Sequence, residues 1–412
     1  MAEAVSCDSH AHKLMSVEAA REQLLSAIGP LPDAETLPLS DCLGRTLAVS
    51  VIADSPTPPA DNSAMDGYAF RAADLSKGEG LPLSQRIPAG HAPAPLKPGT
   101  AARIYTGAVI PEGADTVVMQ ERCRESEGRV FVDGEVKTGD NIRRAGEDID
   151  AGEEILPAGQ RLRPQDIGVA AGSGLAELTV RRQPRVAILS TGDELVQPGQ
   201  PLGPAQIYNS NESMLSGLLS MMGCQVLPAW HVADTPEATR AALEEAASQA
   251  DLIISSGGVS VGDEDHVKAA VEALGGLDLW KIAVKPGKPL AFGHVFRNSD
   301  KVPFLGLPGN PVSLFVTFLL FGAPLLRRLQ GRNRMIPSPI ALPADFERPK
   351  PGKREEYLRV RLVEGRLQPY PHQGSGVLSS ASWADGLARV AAGETVAPGE
   401  TVAYYPFETL TS

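Results

Sequence analysis

Between residues 184 and 332 short apolar runs alternate with amphipathic stretches, and this restricts the fold more than any other feature of the chain. Strand-like runs are predicted at Arg185–Leu189, Gln225–His231, Asp251–Ser255, Leu279–Val284 and Val302–Leu305. Helices are expected at Glu212–Met222, Asp265–Leu274 and Pro311–Leu329, with another opened by Thr235 as cap and Pro236 at its first position. Such alternation points to a mostly parallel sheet covered by helices on both faces. In an open α/β sheet, ligands bind beyond the carboxyl ends of the strands. The informative residues should therefore lie in the loops that follow strands.

The rest of the chain reads differently. At 412 residues it is too long for one core, and about three domains of roughly 150 residues are expected. Its 41 glycines and 35 prolines are spread throughout, which favours turns and short strands over a helical bundle. Ser16–Ile28 reads as an amphipathic helix stopped by Gly29-Pro30. Residues 50–148 read as a small β domain and residues 333–412 as a closing β-barrel. Residues 14–49 with 149–183, which include a helix near Arg163–Ala171, are expected to form an extended N-terminal module. The α/β unit covers 184–332.

Charge and cysteine content narrow the function. A formal charge of −12 makes the chain a poor non-specific binder of nucleic acid. The cysteines Cys7, Cys42, Cys123 and Cys224 are too far apart for a zinc site or a disulfide framework, so reduced thiols in a cytoplasmic protein are expected. The N-terminal residues show no signal-peptide pattern, and His10 and His12 fall in a leader with no regular pattern. The longest apolar stretch, Val312–Leu326, is interrupted by Ser313, Thr317, Gly322 and Pro324 and is shorter than a membrane span.

Four post-strand loops carry the candidate chemistry: 190–195, 255–262, 285–289 and 306–313. Glycines let a backbone approach a ligand closely, and N–H groups at a helix start favour an anion. Lys281, Lys285 and Lys288 lie in a stretch with no acidic residue between Asp278 and Asp300, which reads as a phosphate or oxyanion site. Glu194, Asp234, Asp263 and Asp265 follow strands or open helices. They suit either helix capping or Mg²⁺, a hard cation that takes carboxylate and substrate oxygens. No nucleophile elbow, Walker loop or dinucleotide fingerprint is present. In the β domain, the blocks 58–69 and 105–115 are polar and aperiodic.

Eight segments together resemble one family. They are DNSAMDGYA (61–69), TGAVIPEGADTVVMQE (106–121), NIRRAGEDI (141–149), STGDEL (190–195), SSGGVSVGDED (255–265), WKIAVKPGKPLAFG (280–293), GLPGNPVS (306–313) and HQGSG (372–376). Their order and content resemble the molybdopterin molybdenumtransferases, the family of bacterial MoeA and the E domains of gephyrin-like proteins. Two departures are His266, where the family often has Tyr, and Ala145, where Arg is common.

The resemblance implies an L-shaped, four-part subunit in a homodimer. It implies cleavage of adenylylated molybdopterin, release of AMP and transfer of molybdate to the dithiolene, with Mg²⁺. By that resemblance Lys285, Lys288, Pro289, Ser313, Arg359 and Ser375 surround molybdate. Thr191, Gly192, Ser256, Gly257, Gly258, Pro308, Gly309, Asn310 and Pro311, with Lys281, would serve the pterin and its phosphates. Glu194, Asp234 and Asp265 match acidic positions at the metal. Asp61, Thr106 and Asp148 match β-domain positions that face the partner subunit's cleft. A molybdopterin adenylyltransferase and molybdoenzyme apoproteins are the expected partners, with no role for nucleic acid or a membrane. The adenylyltransferase that makes the substrate and a non-catalytic scaffold are the alternatives. The first should be a short single-domain chain, and the second would not need these carboxylates and lysines.

Overall fold

The computed structural model describes residues 14–76, 78–258 and 266–412. Its centre is a seven-stranded sheet, in the order Gln225–Val226, Arg185–Thr191, Leu252–Ser256, Asp300–Leu307, Pro289–Arg297, Gly275–Lys281, with Trp230–Val232 pairing the upper part of Arg185–Thr191. All pairs are parallel except the two made by Pro289–Arg297. Successive strand residues face opposite sides, as the pleat requires. Val186, Ile188, Leu252, Ile254, Leu305 and Leu307 pack under Ser210–Met221 and the long helix from Pro311. Ala187, Leu189, Ile253 and Phe304 pack under Pro236–Gln249 and His266–Leu274.

The Thr235 cap is present: its side chain accepts from the Ala238 N–H at 3.3 Å, with Pro236 at the first position. The helix from Pro311 to Leu329 widens to a π turn over Phe318–Gly322, just before Pro324, which has no N–H to donate. It is long and apolar enough to cross a membrane by length and composition, but 89% of it is buried inside the protein.

Three expectations about strands need correction. The strand expected at Gln225–His231 is two short strands, split where Pro228 can donate nothing to the ladder. The strand expected at Leu279–Val284 is Gly275–Lys281, after which Val284–Lys285 leaves to pair with Glu355–Val363. Pro289–Arg297 was not expected as a strand. It is nine residues long and hydrogen-bonded on both sides, and Gly293 interrupts its apolar pattern. A Cβ at Gly293 would lie 2.1 Å from the Gly276 carbonyl oxygen, so the close approach of the two strands requires glycine there.

The β domain is a six-stranded sheet in the order Thr116–Met119, Gly67–Phe70, Ala101–Ile104, Leu81–Ile87, Arg129–Val132, Cys123–Ser126, around Phe70, Ile87, Ile104 and Val117. In the extended module, Ala34–Pro38 pairs with Glu177–Arg181 and Val51–Ile52 with Glu154–Leu156, over Cys42, Leu47, Leu162 and Val180. The first helix, Val17–Ser26, does not belong to that module. Val17, Ala20 and Leu24 are buried in the central core with Leu325 and Leu326, because its apolar face matches the end of the long helix. The C-terminal strands Glu355–Val363, Gly386–Val390, Thr401–Pro406, Ile340–Pro343 and Arg366–Pro369 close on themselves through the Ala344–Leu367 bridge, giving a small barrel.

Candidate active site

Three of the four predicted loops follow parallel strands. The fourth, Lys285–Pro289, reaches the same sheet edge because it precedes an antiparallel strand. With the barrel loop 373–376 they enclose a cleft of about 1020 Å³. Of the residues singled out in the sequence, Thr191, Glu194, Ser256, Gly257, Gly258, Lys285, Lys288, Pro289, Pro308, Gly309, Asn310, Pro311, Ser313 and Ser375 line it.

The backbone explains how the loops converge. Gly257 and Gly258 both have positive φ (92° and 68°), and the Gly257 N–H donates to the Leu307 carbonyl at 3.0 Å, tying two loops together. Gly287 has φ 101°, and a Cβ there would meet Thr317 Cγ2 at 2.4 Å, so the lysine turn packs directly on the long helix. Pro311 opens that helix, and the Val312 N–H donates to the Ser375 carbonyl at 3.0 Å, docking the barrel loop onto the helix start. Gly192, with φ 136°, shapes the turn under Glu194 without lining the cleft.

The electrostatics differ from the expected acid-free lysine turn. Lys285 Nζ pairs with Glu356 at 2.7 Å, and Glu356 also accepts from Arg348 Nε at 3.2 Å. Burial pushes the Glu356 carboxyl up, but the two cations outweigh it and hold the group below its ordinary range. Lys288 has no such partner among the described residues, and Arg354 adds a further cation to the cleft wall. Lys281 ends the neighbouring strand opposite Pro289 and does not line the cleft.

Asn211 went unnoticed in the sequence. Its Nδ2 donates to Ser256 Oγ at 2.9 Å and to the Gly309 carbonyl at 2.8 Å, while its buried Oδ1 has no partner among the described residues. The signal available was a polar Asn209-Ser210-Asn211 run at the start of a post-strand helix. Ile207 and Tyr208, both exposed, form an apolar flank of the same cleft.

Arg359 is not on the cleft wall. It is 1% exposed beneath it, with Nε donating to Ser380 Oγ at 3.1 Å and Nη2 to the Gly374 carbonyl at 3.2 Å. Burial pushes its guanidinium down to about 10.

The acidic group is only partly described. Glu194 lines the cleft, and Asp234 lies on the neighbouring loop, its N–H donating to Asp193 Oδ1 at 3.4 Å. Asp263 and Asp265 lie outside the described residues. Among the described residues no three His, Cys, Asp or Glu side chains converge as a ready metal cage. Hard carboxylate oxygens on two adjoining loops suit Mg²⁺, which usually takes one or two carboxylates and completes its shell with substrate oxygens and water.

Asp61, Thr106 and Asp148 do not line this cleft in their own chain. They gather at one end of the β domain, where the segments 58–69, 105–115 and 141–149 are cross-linked. Asp61 accepts from the Ala145 N–H at 2.9 Å and from Arg144 Nη1 at 2.5 Å, and these contacts hold its carboxyl below the ordinary range. The Ala145 contact is a main-chain one and does not need the arginine common at that position. Thr106 donates to Asp66 from both N and Oγ1 at 2.8 Å, and Asp148 is exposed, with its N–H on the Thr57 carbonyl.

Comparison with known proteins covers nearly the whole chain. The family model described as the MoeA N-terminal region (domain I and II) matches residues 15–174. The model described as "Probable molybdopterin binding domain" matches 187–328, and that of the MoeA C-terminal region (domain IV) matches 341–407. The molybdopterin molybdenumtransferase of Haemophilus influenzae is 41% identical over 324 residues, covering 78% of this chain and 79% of that protein. That of Nostoc sp. is 39% identical over 376 residues, covering 88% and 86%. The solved MoeA structure from Pyrococcus horikoshii OT3 superposes with a TM-score of 0.82 at 27% identity, covering 95% of this chain and 100% of that one.

Proposed function

This chain belongs to the MoeA family of molybdopterin molybdenumtransferases, and from that premise we propose that its cleft holds the pterin and molybdate side by side. The activity is insertion of molybdenum into adenylylated molybdopterin, with release of AMP. The observation that carries the site reading is the convergence of three glycine-bearing loops, a helix start and the lysine turn on one cleft. The backbone approach at Gly257, Gly258 and Gly309 suits the pterin phosphates. The exposed faces of Ile207 and Tyr208 suit a flat heterocycle, and the orphan Oδ1 of Asn211 would accept one of its N–H groups. Molybdate, a tetrahedral dianion, is assigned to Lys285, Lys288, Ser313 and Ser375.

Mg²⁺ would be held by Glu194 and Asp234, and when bound it would neutralise phosphate charge as the pyrophosphate bond is cut. The chain's own part is to hold the phosphates against fixed N–H donors and to keep the cations beside them. The assay is AMP release from adenylylated molybdopterin on adding molybdate. Absence of release from the purified chain with magnesium present overturns the reading. Glu194→Gln, which keeps shape and removes charge at an exposed position, should raise the magnesium needed for half-maximal release roughly tenfold, at unchanged melting temperature. A wild-type magnesium curve removes Glu194 from the metal.

We also propose a homodimer with a shared cleft. It is supported by the gathering of Asp61, Thr106 and Asp148 away from their own chain's cleft. Asp61→Asn and Lys285→Ala chains, each impaired alone at low molybdate, should recover part of the activity there in verified heterodimers, since one of the two clefts is then intact. No recovery leaves Asp61 with a structural role inside the β domain. A reducing, cytoplasmic setting is consistent with the free thiols of Cys42, Cys123 and Cys224.

A further inference from the structure

Five arginines converge at the far end of the helix whose start faces the cleft. Its 19 residues place the two ends about 28 Å apart at 1.5 Å per residue. Arg327 and Arg332 come from its last turn and the residues just after it, Arg161 and Arg163 from the extended module, and Arg334 from the connection to the barrel. They line a cavity of about 330 Å³, together with Ser338, Thr409 and Ser412. Among the described residues no Asp or Glu lines it.

The cavity is built by the backbone. Gly159 has φ 80°, a Cβ there would fall 2.9 Å from the Gly331 carbonyl oxygen, and the Asn333 N–H donates to the Gly159 carbonyl at 2.9 Å. These contacts bring the module and the helix end together around the arginines.

The arginines are only partly answered within the chain. Arg163 pairs with Asp166 at 3.0 Å. Arg327 donates to the carbonyl oxygens of Met335, Thr409 and Leu410 and to the main-chain oxygen of Ser412. Arg332, 7% exposed, donates from Nη1 to the Ser412 oxygen at 2.7 Å and from Nη2 to the Met222 oxygen at 3.4 Å, while its Nε is buried without a partner. The Arg161 Nε is buried and unpartnered as well, and its guanidinium makes no hydrogen bond or ion pair among the described residues. Burial pushes Arg327 down to about 10 and Arg332 to about 9, and the charge of Arg161 adds to both effects. A helix C-terminus favours cations and so accounts for Arg327, but Arg161 and Arg334 come from other segments. Counting a carboxylate at Ser412 still leaves three guanidiniums uncompensated. Like charges held this close raise the free energy of the fold unless an anion joins them.

We propose that this cavity is a second anion site, separate from the cleft, that takes a phosphate group, either free or carried on a small molecule. Arginine suits the role because its planar fork matches phosphate oxygens.

The test uses the full chain carrying Lys285→Ala and Lys288→Ala, which weakens the cleft's hold on a free oxyanion, and follows the part of the phosphate isotherm that depends on the cavity's arginines. Equilibrium dialysis with labelled inorganic phosphate should show one equivalent bound in that part. Adding Arg161→Gln and Arg334→Gln should weaken it roughly tenfold or more. The same two changes should leave the melting temperature in phosphate-free buffer unchanged or higher, because repulsion is relieved. A cluster with only a structural role predicts the reverse, a lower melting temperature and an unchanged isotherm. That result, or no phosphate bound before the arginines are changed, overturns the proposal. Ribose 5-phosphate in place of phosphate separates the two sources: tighter binding identifies a carried phosphate, equal or weaker binding a free one.

Discussion

Lys285→Ala is expected to raise the molybdate concentration needed for half-maximal AMP release by roughly ten- to a hundredfold, with a smaller rise for Lys288→Ala and little change in pterin binding for either. Losing one charge-assisted hydrogen bond costs about 1.5–3 kcal/mol, which sets that range. The difference between the two lysines comes from Glu356. In the native chain Lys285 and Arg348 share its carboxylate. Without Lys285 one of the two cations is gone, and a partly uncompensated negative charge is left beside the proposed molybdate site. Glu356 is normally held below the ordinary carboxylate range, so its ion pairs stabilise the fold above that range and are lost as pH falls through the lowered value. Removing Lys285 lets the Glu356 pKa rise, so the molybdate defect should ease as pH is lowered toward it. Lys285→Ala combined with Glu356→Gln should accordingly bind molybdate better than Lys285→Ala alone. Equal half-saturation in wild type and both lysine variants would remove molybdate from this turn.

Glu356 marks where sequence reading stops. It lies 71 positions beyond Lys285 and meets it only because Val284–Lys285 pairs in parallel with Glu355-Glu356 at the edge of the barrel. No local spacing announces that. What was legible was local: the Ser16 cap, whose side chain accepts from the Ala19 N–H, the Thr235-Pro236 start, and the loops that follow strands. Those loops were legible because glycine and proline at strand ends have few alternative uses. Pro289–Arg297 was missed because Pro289 and Gly293 count against a strand on propensity, although Gly293 is required there by its contact with Gly276. The first helix shows by its amphipathic face that it packs but not what it packs on, which is the central core. The arginine cavity was invisible for the same reason, since its residues come from three separate segments.

Arg359→Met is expected to leave a folded protein whose molybdate-dependent AMP release falls roughly a hundredfold. The side chain does not reach the cleft, so the effect must pass through the loop it holds. Its guanidinium donates to the Gly374 carbonyl and to Ser380, while Gln373 clasps its main chain, accepting from the Arg359 N–H and donating to its carbonyl at 3.0 Å each. That loop presents Ser375 to the cleft and accepts the Val312 N–H at the helix start. Methionine is similar in length and fits an apolar surround. It leaves the Gly374 carbonyl unanswered, at about 1–3 kcal/mol. Against that, it removes a buried cation whose guanidinium is pushed down to about 10, so part of the cost is offset. Net stability should therefore change by no more than about 2 kcal/mol, an amount that leaves most domains folded. Function has no such offset, because it loses both the loop geometry and a positive charge beneath the proposed oxyanion site. A substitution that only loosened the loop would lower the rate at every molybdate concentration. Loss of the charge as well should also raise the half-saturating molybdate. The measurement is AMP release against molybdate concentration, with thermal unfolding in parallel. A normal release curve in a stable Arg359→Met chain would show that neither the loop anchor nor the buried charge serves the molybdate site.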